Sequence, residues 1–247
     1  MINERYGWRS RIGIISPGLG ITMTREWNSL LPEGISFHTT LVKLAENTPE
    51  ELPQLKAQAI DEAKKLTLTG LIDILLFSCT SGSFIGGPAY DQDIIRELES
   101  ATSVPSTTTS TCLLRAFSDL GVKSIALVGP YTEDIFDIEI QFLKHHGIKT
   151  IFCKGMGFDK VSEIIRTSEQ PYIYYRWARE AYRSAPDADA IFVTCLASPI
   201  AAVVSTLEQE TGKPIISSCS ASLYGVLKQL GIRDSIENYG QLMRIPR

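Results

Sequence analysis

Two cysteines in this 247-residue chain end apolar runs and open polar loops: Cys79 in "LLFSCTSGSFIGG" and Cys195 in "IFVTCLASPIAA". Each lies six residues after an aspartate, in "DILLFSCTS" and "DAIFVTCLAS". A lone cysteine at a strand end is most often a packing residue; two at matching places raise the case for chemistry. Cys79 is followed by Thr80, Ser81 and Gly82, and Cys195 by Leu196, Ala197 and Ser198. A strand that turns into a helix there presents unpaired backbone N–H groups, which bind anions and lower the pKa of a thiol. The expected arrangement is a carboxylate held by those N–H groups and the Thr80 and Ser81 hydroxyls, between two thiols of thiolate character. Such a site suits proton transfer at the carbon next to the carboxylate. That reaction needs a base on one face of the carbon and stabilisation of the developing enediolate. A thiol on the other face returns the proton with inversion. The same pair can also act as nucleophile and acid on an activated double bond.

The elements that must position these thiols are written twice. Short apolar runs alternate with amphipathic helix-length segments, the pattern of an α/β protein with parallel strands. "RIGIIS" reads as a first strand ended by Pro17-Gly18, and "REWNSLLPEG" as a helix stopped by Gly34. "SIALVGP" and "TEDIFDIEIQFLKHHG" repeat that pair. Ile12 and Ile125, Pro17 and Pro130, and Gly34 and Gly147 are each 113 residues apart. Pro105 and Pro214 each open a later strand, and Gly121 and Gly231 each close the helix after it. A period this long means two similar α/β units rather than a solenoid. No flexible linker separates them, so they should pack face to face. Ligands of open α/β sheets lie beyond the carboxyl ends of the strands, where both cysteines fall. The expected division is 1–115, completed by 222–247, and 116–221.

Composition excludes several classes. The chain is 44% apolar and 21% charged, ordinary for a globular protein. A net charge of -4 argues against nucleic-acid binding by phosphate neutralisation. The N-terminus lacks a signal-peptide apolar region, and "AIFVTCLASPIAAVV" is too short and Pro-interrupted to span a bilayer, so a cytoplasmic protein with no membrane partner is expected. The five cysteines form no C-x-x-C pair and no zinc spacing, and no metal site is expected.

The Pro-Gly loop, "CTSGSF", "VPSTTTST", "VGPYTEDI" and "VTCLAS" followed by "GKPIISS" resemble the aspartate/glutamate racemase superfamily, in its maleate cis–trans isomerase and arylmalonate decarboxylase branch. The resemblance spans about residues 11 to 232. It implies an α/β fold of two pseudo-symmetric αβα (Rossmann-like) units, each with a mostly parallel sheet of about four strands, and an active site in the cleft between them. It implies no cofactor and a carboxylate substrate between Cys79 and Cys195. Thr80, Ser81 and Tyr131 would bind the carboxylate or stabilise the enediolate, with the backbone N–H groups of Leu196 and Ala197 and with Pro17 and Gly18 of the first loop. The sequence departs from the branch in three places. Gly20 stands where maleate isomerases carry an asparagine, "GMGFDKV" lacks a second one, and the decarboxylases have glycine in place of Cys79.

Other signals read as structural. "GLG" at 18–20 lacks the remainder of a dinucleotide loop and is a tight turn. His145 and His146 precede Gly147 and complement a helix dipole. "PYIYYRWAREAYR" suits core packing or a subunit contact, Cys112 and Cys219 suit packing beneath the site, and Cys153 has no counterpart. The sequence thus predicts a cofactor-independent isomerase, racemase or cis–trans, for a small carboxylate or amino-acid-derived substrate, working as a homo-oligomer (dimer or tetramer). The alternatives are a decarboxylase with Cys195 as proton donor and a non-catalytic small-molecule binding protein.

Overall fold

The computed structural model describes residues 6–18, 20–237 and 239–245. The first unit runs β1 (Ser10–Pro17), α1 (Ile21–Leu30), β2 (Ile35–Val42), α2 (Leu55–Thr67), β3 (Ile74–Phe77), α3 (Thr80–Phe84), α4 (Tyr90–Thr102), β4 (Ser106–Thr108) and α5 (Thr109–Leu120). The second runs β5 (Ser124–Gly129), α6 (Glu133–His145), β6 (Lys149–Gly155), α7 (Val161–Arg166), α8 (Pro171–Ser184), β7 (Ala190–Val193), α9 (Val204–Thr211), β8 (Ile215–Ser217) and α10 (Ser218–Gln229), followed by α11 (Gln241–Arg244).

The two sheets have the same order, β2-β1-β3-β4 and β6-β5-β7-β8, and every pair within them is parallel. Central strands covered on both faces need unbroken apolar runs; "ILLF" and "AIFV" are buried throughout. The edge strand β6, by contrast, alternates between exposed and half-buried residues.

Helices α5 and α10 pack against each other between the sheets. A Cβ on Gly225 of α10 would lie 2.4 Å from Cys112 Sγ of α5, so the close approach depends on glycine there. One buried apolar cluster runs through both units, joined for example by the edge-to-face rings of Phe117 and Phe192. A second, smaller cluster lies under α8, whose Tyr174, Ala178 and Ala181 supply its buried face. Cys112 and Cys219 are fully buried as expected, whereas Cys153 is exposed on edge strand β6.

The helix after the first strand of each unit reaches the cysteine loop of the other. Thr22 Oγ1 of α1 donates to the Ala197 carbonyl (3.0 Å), and Glu26 Oε1 accepts from the Ile200 and Ala201 N–H groups (3.2 and 3.0 Å). From the other side, Phe142 of α6 stacks on Phe84 of α3 with ring centroids 6.1 Å apart. The turn glycines behave as expected at Gly121 and Gly147, which have φ of 68° and 79°. Gly34 differs. Helix α1 already ends at Leu30, and Gly34 (φ 85°) instead makes the turn into β2, against the ring of Trp8. Gly18 and Gly20 also have positive φ, as a tight turn requires; Leu19 between them lies outside the described residues. No helix among the described residues is long and apolar enough to cross a membrane.

Candidate active site

Both cysteines follow the carboxyl ends of equivalent strands, β3 and β7, and both line one cavity of about 70 Å³. Cys79 is the N-cap of α3: the Gly82 N–H donates to its Sγ at 3.2 Å, and Ser81 Oγ lies 3.8 Å from it. Gly82 has to be glycine, because a Cβ there would sit 2.8 Å from that sulfur. The second thiol is held differently. No regular helix follows Cys195 at once, and Cys195 itself has φ of 78°, the left-handed region that L-residues with a Cβ avoid. Strain of this kind persists where the surroundings over-determine it, and it clusters at active sites. Here the anchors are the bonds from α1 to Ala197, Ile200 and Ala201. Since glycine adopts this conformation freely, Cys195→Gly should be more stable to urea than Cys195→Ala by about 1 kcal/mol. Equal midpoints for the two variants would show that the residue carries no strain.

Burial decides the protonation of the thiols. Cys79 is pushed up to about 11, against the opposing pull of the Gly82 N–H and the Ser81 hydroxyl. Cys195 is pushed up to about 12 by burial, aided by the neighbouring Cys79 and Glu139; the Ala197 N–H and the Tyr131 hydroxyl oppose the rise. Both sulfurs are therefore thiols at neutral pH. The expected thiolate character is not found, because removal from water outweighs the few N–H and O–H donors. Ala197 differs from expectation too: its N–H lies 3.5 Å from Cys195 Sγ and is directed at the thiol.

Of the remaining residues singled out in the sequence, Pro17, Thr80, Ser81, Tyr131, Leu196 and Ala197 line the cavity. Gly18 is not among the lining residues; a Cβ there would meet Ile165 Cδ1, a side chain that does line the cavity, at 2.9 Å. Thr80 Oγ1 is buried without a hydrogen-bond partner. Tyr131 is buried in the lining beside Cys195, and is pushed well above the ordinary tyrosine value by burial. None of the lining residues is Lys, Arg, His, Asp or Glu.

Among the lining residues that the sequence did not single out are Asn47 and Ser168. Asn47 lies in the loop after β2, with its side chain oxygen accepting from Ser81 Oγ (2.6 Å), and Ser168 lies just beyond α7. Their loops were not recognisable as site elements because the contacts that bring them in join the two units. The Asn47 N–H donates to the Asp159 carbonyl (2.6 Å), the Val161 N–H to the Ala45 carbonyl (3.0 Å), and Glu46 bridges Lys160. Equivalent loops of the two units thus meet over the cavity. The 113-residue spacing places Asn47 opposite Lys160, so duplication gave no asparagine echo to notice.

The chain is similar to known proteins over nearly its whole length. The arylmalonate decarboxylase family profile matches residues 12–243. The chain belongs to this family. It is 26% identical to arylmalonate decarboxylase from Bordetella bronchiseptica over 220 residues, covering 89% of this chain and 90% of that one. It is 24% identical to maleate isomerase from Geobacillus stearothermophilus over 246 residues, covering 94% and 96%. Among solved structures, a cysteine-to-serine mutant of Nocardia farcinica maleate cis–trans isomerase, with a covalently bound succinylcysteine intermediate, superposes with a TM-score of 0.86 at 22% identity, over 95% of this chain and 98% of that one. This places the chain in the maleate isomerase and arylmalonate decarboxylase branch of the aspartate/glutamate racemase superfamily, with the two-unit parallel α/β fold read from the repeat.

Proposed function

We propose that this member of the arylmalonate decarboxylase family is a cofactor-independent isomerase that moves a proton between the two faces of the carbon next to a carboxylate, with Cys79 on one face and Cys195 on the other. One observation carries the reading: thiols from equivalent strand ends line a single cavity with no charged side chain among its described lining residues. The Thr80 hydroxyl has no partner among the described residues and can donate to a carboxylate oxygen. The Tyr131 hydroxyl, also in the lining, can donate to the second oxygen. These donors stabilise the enediolate in a site of low dielectric, where such bonds count most.

The proton balance is closed within the pair. One sulfur, as thiolate, takes the α-proton and becomes a thiol. The opposite thiol gives its proton to the other face and becomes the thiolate. The enzyme returns with the roles exchanged, and the substrate has inverted. Because both sulfurs are protonated in the free site, one proton must leave to solvent before turnover. In the cis–trans variant of this chemistry, a thiolate forms a C–S bond to one alkene carbon and the other thiol protonates its neighbour. Rotation about the new single bond and reversal of both steps give the isomer. The succinylcysteine intermediate of the Nocardia protein is of the kind this variant would form.

The match to arylmalonate decarboxylase favours a second reading, loss of carbon dioxide from a disubstituted malonate followed by reprotonation from Cys195. Cys79 has no task in that reaction. Single enantiomers of 2-substituted carboxylates incubated with the protein in deuterium oxide should racemise and gain α-deuterium. Carbon dioxide release from 2-substituted malonates without racemisation would favour the decarboxylase. Binding of these acids with neither outcome would leave a binding protein.

A further inference from the structure

We propose that Asn47 determines substrate specificity by donating its side chain N–H to an uncharged acceptor oxygen on the group attached to the substrate's α-carbon. The inference rests on the carboxylate reading above and extends it to the rest of the substrate. Asn47 is 3% exposed, and its two amide ends differ. Asn47 lines the cavity; its Oδ1 is occupied by the Ser81 hydroxyl at 2.6 Å, whereas its buried Nδ2 has no partner among the described residues. Buried donors are nearly always paired in native proteins, so one left open in a ligand cavity marks the place of a ligand atom. The Ser168 hydroxyl, also in the lining, is buried and unpartnered as well.

The surroundings define the rest of the group. Leu44, Val161, Ile164 and Ile165 give the lining an aliphatic character, and it holds no cation to balance a second carboxylate. The Thr80 and Tyr131 hydroxyls serve the first carboxylate; a second would be buried among aliphatic side chains with too few donors to match its charge, which is expensive. The substrate class is therefore a 2-substituted carboxylate whose substituent is aliphatic and carries a carbonyl or other neutral acceptor.

Three acids of the same shape separate the possibilities: 2-methyl-4-oxopentanoate, 2-methylsuccinate and the acceptor-free 2,4-dimethylpentanoate. Binding is measured by titration calorimetry, which does not depend on turnover. The wild-type protein should bind the oxo acid roughly 5- to 100-fold more tightly than the acceptor-free acid, and more tightly than 2-methylsuccinate. Asn47→Asp keeps an acceptor for Ser81 but replaces the donor, and Asn47→Leu removes both at similar volume. In each variant the preference for the oxo acid should disappear. A wild-type ratio near one, an unchanged ratio in the variants, or tighter binding of 2-methylsuccinate would overturn the assignment. Equal losses for all three acids would also overturn it, leaving Asn47 only the positioning of Ser81. If the wild-type protein binds none of them, the carboxylate reading itself fails, and the assignment with it.

Discussion

Cys79→Ser and Cys195→Ser are each expected to lower turnover by roughly 10²- to 10⁴-fold, the usual contribution of a positioned acid or base, while carboxylate binding changes little. A serine hydroxyl does not ionise at any pH the protein tolerates, so it cannot take up the α-proton. It remains a hydrogen-bonding group of similar shape, and the Gly82 N–H that now meets Cys79 Sγ at 3.2 Å keeps an acceptor. The carboxylate would be held by Thr80 and Tyr131, which neither substitution touches. Steady-state kinetics should therefore show the loss in kcat, with KM nearly constant. Two thiols that act as one device are not additive, and the double variant should be hardly worse than the weaker single one. Full activity in Cys79→Ser would contradict the two-thiol mechanism and favour decarboxylation through Cys195.

The second large effect is on stability. Glu139 of α6 is fully buried, and burial pushes its carboxyl up to about 8; the hydrogen bond donated by Thr194 Oγ1 (2.7 Å) only partly opposes this. Its other oxygen has no partner among the described residues. The unfolded chain ionises this group from the ordinary glutamate value of 4.5 upward, whereas the folded protein keeps it protonated until about 8. The unfolded state therefore binds fewer protons throughout that window, and stability must fall as pH rises. Each pH unit costs about 1.4 kcal/mol, so this one group should remove on the order of 4 kcal/mol between pH 5 and 8. In Glu139→Gln that component of the slope should vanish. Urea unfolding of both proteins at pH 5, 6.5 and 8 reads the difference, and parallel pH profiles would show that Glu139 is already ionised in the folded state. The site has a stake in the result, since a charge on Glu139 raises both Cys195 and Tyr131.

Why Glu139 and its site residues differ in legibility follows from where each signal resides. The fold was readable because strands buried on both faces need unbroken apolar runs, and because the chain repeats them. Ile12 with Ile125 and Cys79 with Cys195 are positions in a linear pattern. Tyr131 was legible only through its motif, since one tyrosine after a strand has no period. Asn47 and Ser168 belong to irregular loops brought over the cavity by contacts between the units, such as Asn47 with Asp159. Thiol protonation was misjudged for a similar reason. The loop sequence shows the donors that favour thiolate, but the burial that outweighs them is a property of the assembled cleft. The left-handed backbone of Cys195 is set by α1, more than 160 residues earlier in the chain.

The most direct test of the paired-thiol account is a crystal structure with a 2-substituted carboxylate bound in the cavity. The account predicts carboxylate oxygens on Thr80 and Tyr131, and Cys79 Sγ and Cys195 Sγ on opposite faces of the α-carbon, each within roughly 3–3.5 Å. An α-carbon reached by Cys195 alone, or with both sulfurs on one face, would contradict it.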